Sequence, residues 1–255
     1  MHLKHFKILL SLFLLTQGTN TNQDFHGKSP PVVQNRNIGR LLSKQIETAI
    51  GKWSQYEHDE IKTTDQLNSN SNLSKREVLK YSVRYEDGKE FHCLLERDGR
   101  LNPKPQWIFV KPRFTVDDKM FSDIRYDFNI EKGFYENGER FLFLTFKPTD
   151  NPPAHGDRDK VLNNMTGTVI LREKDLFPIK IRAELPKEME VKGSGYKIKF
   201  FKLIIEVWFQ KIDGTLMLEK VLTQYHFQLK VLYLFNVREE NKKEEYVYSN
   251  FKRRR

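Results

Sequence analysis

The chain has 255 residues and a formal charge of +10, long enough to bury one large core or two small ones. Its single cysteine, Cys93, excludes an intramolecular disulfide and, with it, the small disulfide-stapled extracellular class. Lysine and arginine are spread over many polar positions and gather only at Lys252-Arg253-Arg254-Arg255, which suits a solvated tail or an anionic membrane surface better than nucleic acid.

Lys4 and Lys7 precede an apolar run, Ile8 to Leu15, which is followed by Thr16, Gln17, Gly18 and Thr19. That basic, apolar, small layout predicts a secretory signal over 1–19. The run is well short of the roughly 20 residues that a bilayer-spanning helix needs. No cysteine follows it to carry a lipid, so the expected location is the periplasm. Residues 20–35 are polar, contain Pro30-Pro31 and read as a flexible linker. The folded domain is expected over 36–252, with 253–255 as a basic tail.

From Asn35 to Gly51, the residues Ile38, Leu41, Leu42, Ile46, Ala49 and Ile50 fall at helical spacing, giving one long amphipathic helix. Strands dominate the rest. Trp53 to Lys62 alternates moderately, and Thr63 to Ser74 reads as a long polar turn. Arg76 to Tyr85 and Glu90 to Arg97 form a hairpin about Asp87-Gly88, with a further turn at Asp98-Gly99. Cys93 shares a strand face with Phe91 and Leu95 and reads as a buried, inert thiol.

Residues 102–122 are irregular and proline-rich, with a short helix expected from Thr115. Ile124 to Ile130 alternates cleanly, and Asn137-Gly138 turns it into Arg140 to Phe146, a strand apolar enough to be buried on both faces. Asp157 can cap a short helix through Met165. Strand patterns then persist through Gly167 to Arg172, Phe177 to Leu185, Tyr196 to Lys211, Leu216 to Lys230, Val231 to Glu239 and Glu244 to Phe251. The sum is about ten strands in one curved antiparallel sheet, with three helices.

Chemistry-bearing motifs are scarce. The histidines show no metal-ligand spacing, and there is no nucleophile elbow or phosphate-cradling glycine loop. His155-Gly156-Asp157-Arg158-Asp159 is the nearest approach to a ligand cluster and reads as helix-capping carboxylates. No enzyme, metal or cofactor is therefore expected. The positive signal is apolar. Ile124, Tyr126, Phe128, Ile179, Ile181, Phe201, Leu203, Ile205, Val207 and Phe209 are expected to face one way along their strands, with Leu41, Leu42 and Ile46 on the helix as a lid. An ordinary packed core and an apolar, ligand-holding cavity both fit this pattern.

The helix-then-strands order, the run Phe143-Leu144-Thr145-Phe146-Lys147-Pro148, the stretch from Asp157 to Thr168, Glu173-Lys174-Asp175 before Pro178-Ile179, and the ending Tyr248-Ser249-Asn250-Phe251-Lys252-Arg253 resemble the LolA/LolB-like bacterial outer-membrane lipoprotein-sorting family. The resemblance implies a mainly β (α+β) unclosed barrel with a helical lid. It also implies a monomeric carrier that holds lipoprotein acyl chains or another lipid. No residue of this chain is matched to that family's lid-gating arginine. Relatives of the same fold also act as envelope sensors, so an envelope protein partner in place of a lipid is the alternative.

Overall fold

A computed structural model describes residues 38–87, 89–110, 125–152, 156–232 and 235–254. The expected signal, the linker, the short helix from Thr115 and Ile124 lie outside the described residues. The elements are α1 (Ile38–Trp53), β1 (Tyr56–Leu67), β2 (Leu73–Glu86), β3 (Lys89–Arg97), β4 (Arg100–Leu101), β5 (Trp107–Val110), β6 (Tyr126–Glu136) and β7 (Glu139–Pro148). They continue with α2 (Asp157–Leu162), β8 (Thr166–Arg172), β9 (Phe177–Glu184), β10 (Met189–Gly193), β11 (Tyr196–Ile212), β12 (Thr215–Val231) and β13 (Phe235–Arg253).

All thirteen strands belong to one antiparallel sheet of order β4-β3-β2-β1-β13-β12-β11-β9-β8-β7-β6, with β5 on β3 and β10 on β11. Among the described residues its end strands, β4 and β6, do not pair with each other, so the barrel is unclosed. The turns follow from local chemistry. Asp98-Gly99, Asn137-Gly138 and Asp213-Gly214 each put both residues at positive φ (49° and 80°, 49° and 79°, 48° and 74°). Two-residue hairpins of matching twist require that pair of conformations, and Asn, Asp and Gly adopt them at least cost.

Curvature can be read from the helix. Neighbouring strands lie about 4.8 Å apart, so β12 and β6, five places apart, would be separated by roughly 24 Å on a flat sheet. Helix α1, at about 10–12 Å across, touches both. The sheet therefore curls around it. Ile38, Leu42, Ile46 and Ala49 of α1 form one buried cluster with the inner residues of β6 to β9, β11 and β12. The helix end is fixed by Trp53, whose indole N–H donates to the Leu216 carbonyl at 2.8 Å.

Close backbone approach also shapes this side. A Cβ on Gly167 would lie 1.9 Å from the Arg182 carbonyl oxygen and 2.6 Å from the Phe146 ring. Only glycine lets β8, β9 and that ring meet.

Four expectations about the strands are corrected. Thr63 to Ser74 is not one long turn: β1 runs to Leu67 and β2 starts at Leu73. Cross-strand charge pairing stabilises these polar residues in the sheet, as in the two-pronged Arg76–Asp65 pair at 2.7 and 2.9 Å. Val231 to Glu239 and Glu244 to Phe251 are not separate strands, since β13 runs unbroken through the charged stretch between them. The irregular proline-rich region contains β5, paired with β3. Strand β7 is not buried on both faces: Leu142, Leu144 and Phe146 point into the core, while on the opposite face only Phe141 is buried and Phe143 and Thr145 are half-buried.

Helix α2 ends at Leu162, earlier than expected. Asp157 does not cap it. Its carboxylate accepts instead from the Tyr196 hydroxyl and from Lys160 Nζ, the latter at 2.9 Å.

Candidate functional site

The apolar, helix-covered side of the sheet is built from alternate residues of six strands. Tyr126 and Phe128 on β6, Ile181 on β9, and Leu203, Ile205, Val207 and Phe209 on β11 are all buried in the cluster that includes α1. Ile179 is partly buried against it. The aromatic members are held in specific contact, with Phe146 edge-on to Tyr126 at 5.0 Å and tilted against Phe128 at 5.8 Å. Tyr126 anchors this corner by donating its hydroxyl to the Leu162 carbonyl at 2.7 Å, and burial pushes its phenol pKa up.

Two of the expected site residues face elsewhere. Phe201 is the extra residue of a β-bulge, since Phe200 pairs with Phe227 and Lys202 with His226. A bulge switches which face the following residues occupy. Ile198 and Phe200 therefore point inward before it and Leu203 after it, while Phe201 lies outside. There its ring meets the His226 ring at 4.6 Å, with Lys199 Nζ 4.5 Å above it. On the helix, Leu42 and Ile46 face the sheet, but Leu41 is 39% exposed. The helical stripe is thus narrower than the sequence suggested.

The same face changes character beyond β12. Register carries it from Val221 to Tyr246, then to Lys62, then to Leu79. Tyr246 and Tyr248 still belong to the apolar cluster. Past them come His58 and Glu60 on β1, Leu79, Tyr81, Val83 and Tyr85 on β2, and Glu90 and His92 on β3. His92 Nε2 meets Glu90 Oε1 at 2.5 Å, and Tyr85 donates to Glu90 Oε2 at 3.2 Å. Burial pulls His58 down to about 4, outweighing the opposite pull of Glu60, Glu90 and Asp59. Its ring stacks on Phe251 at 5.3 Å and tilts against Tyr248 at 5.6 Å. At the border, Tyr225 donates to Glu240 at 3.3 Å and Lys62 pairs with Glu244 at 3.2 Å.

None of these polar residues stood out in the sequence. Tyr56 to Leu67 carries polar side chains in both phases of its alternation, so no phase marks an inward face.

The outer face of the apolar half has its own buried charge. Glu206 is fully buried between Lys180 Nζ and Arg182 Nη1, each at 2.7 Å. The Lys180 and Lys220 ammonium groups lie 4.6 and 5.4 Å from the Trp208 ring centre. Long side chains thus cover the back of the sheet where it bends round the helix.

A recess of about 660 Å³ lies at the β3–β4 hairpin, lined by Leu94, Arg97, Asp98, Arg100, Leu101, Asn102 and Pro103. None of the expected lining residues borders it. Among the described residues, no group of three or more His, Cys, Asp or Glu is placed to hold a metal, and no helix is long and apolar enough to cross a membrane.

No protein-family model and no curated protein matches the sequence. Among solved structures the chain is similar to a DUF1329 family protein from Desulfovibrio piger, at 11% identity over 86% of this chain and 93% of the other, with a TM-score of 0.36. It is also similar to a domain assigned to outer membrane lipoprotein sorting from Vibrio parahaemolyticus, at 13% identity over 84% and 92%, TM-score 0.37. A LolA superfamily protein from Nitrosomonas europaea matches at 11% identity over 82% and 93%, TM-score 0.31.

Proposed function

We propose that the protein is a periplasmic binding protein, without catalytic activity, that holds lipoprotein acyl chains or another lipid on the apolar side of its curved sheet. The observation that carries this reading is the helix α1 lying across a trough of six strands, touching both β12 and β6. Its inward residues, Ile38, Leu42, Ile46 and Ala49, occupy the volume that an acyl chain would fill. Helix α1 is then a displaceable cover. Each inward side chain is worth about 1.5–3 kcal/mol against water, so an acyl chain that replaces the helix recovers comparable contact. Transfer to an acceptor needs no bond to break and follows the relative affinities of the two proteins.

A second reading is an envelope sensor or scaffold that binds a protein partner. It is favoured by the edge strand β5, where Trp107, Ile108 and Phe109 are all exposed. An added strand on such an edge would have apolar side chains to grip.

The test is organic extraction of the purified protein, followed by mass spectrometry and titration of the delipidated protein with a fluorescent acyl chain. Co-purified acyl material and saturable uptake are expected. An extract free of lipid, together with no saturable uptake, overturns the carrier reading. Pull-down of an envelope protein that is abolished by Ile108→Lys would then support the second.

A further inference from the structure

The end of the sheet where β10 turns into β11 and β12 turns into β13 combines exposed apolar side chains with lysine and arginine. The two hairpin ends abut, with the Leu232 amide donating to the Gly195 carbonyl at 2.7 Å and Tyr196 paired with Val231. Four apolar side chains stand in solvent there: Val231 at 37%, Leu232 at 62%, Phe235 at 63% and Val237 at 60% exposure. Segments 191–198 and 229–238 together carry Lys192, Lys197, Lys230 and Arg238 and no Asp or Glu. Acidic partners begin just above this rim, where Glu190 pairs with Lys197 at 2.5 Å and with Lys192 at 3.9 Å, and Glu240 pairs with Arg238, so the tip keeps a basic excess through Lys230 and the shared Glu190.

The base is rigid. Tyr196 packs so closely on Gly193 that a Cβ there would lie 2.2 Å from its ring. The Tyr196 hydroxyl is tied to Asp157, which pushes its pKa up to about 12. Leu232 itself sits at φ 50°, a left-handed conformation costly for a branched apolar residue, and this turn projects its side chain outward.

We infer that this hairpin end docks on an anionic lipid surface, with Leu232 and Phe235 entering the interface and Lys192, Lys197, Lys230 and Arg238 ringing them. Apolar groups at a tip with cations around them match the two layers of such a surface: acyl boundary below, negative head groups above. The charge around the tip selects this occupant over a neutral or acidic apolar partner. The inference goes beyond the carrier reading and does not depend on what the trough holds.

The experiment is flotation of the full chain with phosphatidylcholine vesicles, with and without phosphatidylglycerol, over a range of salt. Binding is expected only to the anionic vesicles and weakens as salt rises. The pair Leu232→Ser and Phe235→Ser should lower partitioning by more than about tenfold. Lys197→Gln and Lys230→Gln should each cost about fivefold. Leu101→Ser, a still more exposed apolar site on β4 away from this end, should change nothing. Melting temperatures of all variants serve as the folding control. Equal binding to neutral vesicles, no binding at all, or wild-type binding by the double variant at an unchanged melting temperature would each overturn the inference.

Discussion

The two halves of the inner face obey different rules although one register runs through both. From β6 to β12 the face is apolar, closed by α1, and its buried members include Leu144, Val169, Val221 and Phe227 with no exposed surface at all. From β13 to β3 the same face buries Glu60, His58, His92, Glu240 and Glu244 beside Leu79 and Val83. In the first half specificity comes from shape. In the second, each charge must be placed against a partner, as Glu90 is against His92 and Glu244 against Lys62. The difference teaches which half can exchange its contents. An apolar helix and an acyl chain are interchangeable to an apolar wall, because hydrophobic contact is non-directional. A hydrogen-bonded polar face admits only a ligand that satisfies the same groups.

The largest effect that would sharpen this contrast is Phe227→Ala. The ring is fully buried in the apolar half, between Phe200 at 6.2 Å and Tyr225 at 5.8 Å. Its loss should cost about 3–5 kcal/mol, read as a fall in urea midpoint at unchanged slope. The size of the loss is diagnostic. If it falls well below this range and added lipid restores none of it, the apolar half is not the close-packed element described.

The polar half should answer to pH instead. His58 has an ordinary value of 6.5 and is held at about 4 in the folded protein, chiefly by burial. Glu60, Glu90 and Asp59 oppose that lowering and His92 adds to it. Between these two values the unfolded chain takes up a proton that the folded chain refuses. The contribution is thus fully present above pH 6.5 and is lost as pH falls toward 4, by about 3 kcal/mol in total. His58→Phe keeps the stacking on Phe251 and removes the titration. Its urea midpoint should fall less steeply than that of the parent over this window, whereas Phe227→Ala should keep the parent slope. If the two pH profiles are the same, the histidine is not buried in its neutral form.

Much of the fold was legible because its signals are local. Asn137-Gly138 and Asp213-Gly214 announce hairpins, and the alternation of Phe177 to Leu185 announces a strand with one inward face. The apolar wall was legible for the same reason, apart from Phe201. There the phase of the pattern changes: Ile198 and Phe200 occupy one parity, and Leu203 and Ile205 the other. Lys199 and Lys202, three apart, mark the switch on the polar side. The polar half was not legible, since its burial depends on pairings such as Lys62 with Glu244, far apart in the chain. Alternation cannot reveal an inward glutamate when its neighbours are also polar.

The smallest expected effect tests where the apolar half ends. Leu41 and Leu42 are adjacent on α1, chemically identical, and both stood on the helical stripe drawn from sequence. In the structure Leu42 is buried against the sheet while Leu41 is 39% exposed. Leu42→Ala should therefore cost about 2–5 kcal/mol, and Leu41→Ala should stay within about 0.5 kcal/mol. The same pair separates a cover from a fixed core element. A cover that lifts frees its inward residue for solvent or ligand, so saturating acyl chain should recover much of the stability lost in Leu42→Ala, because ligand binding adds to the folded state alone. Leu41→Ala should gain from the ligand only what the parent gains. Equal ligand responses of the two variants would mean that α1 stays in place when the trough is filled, and that the ligand lies elsewhere on the sheet.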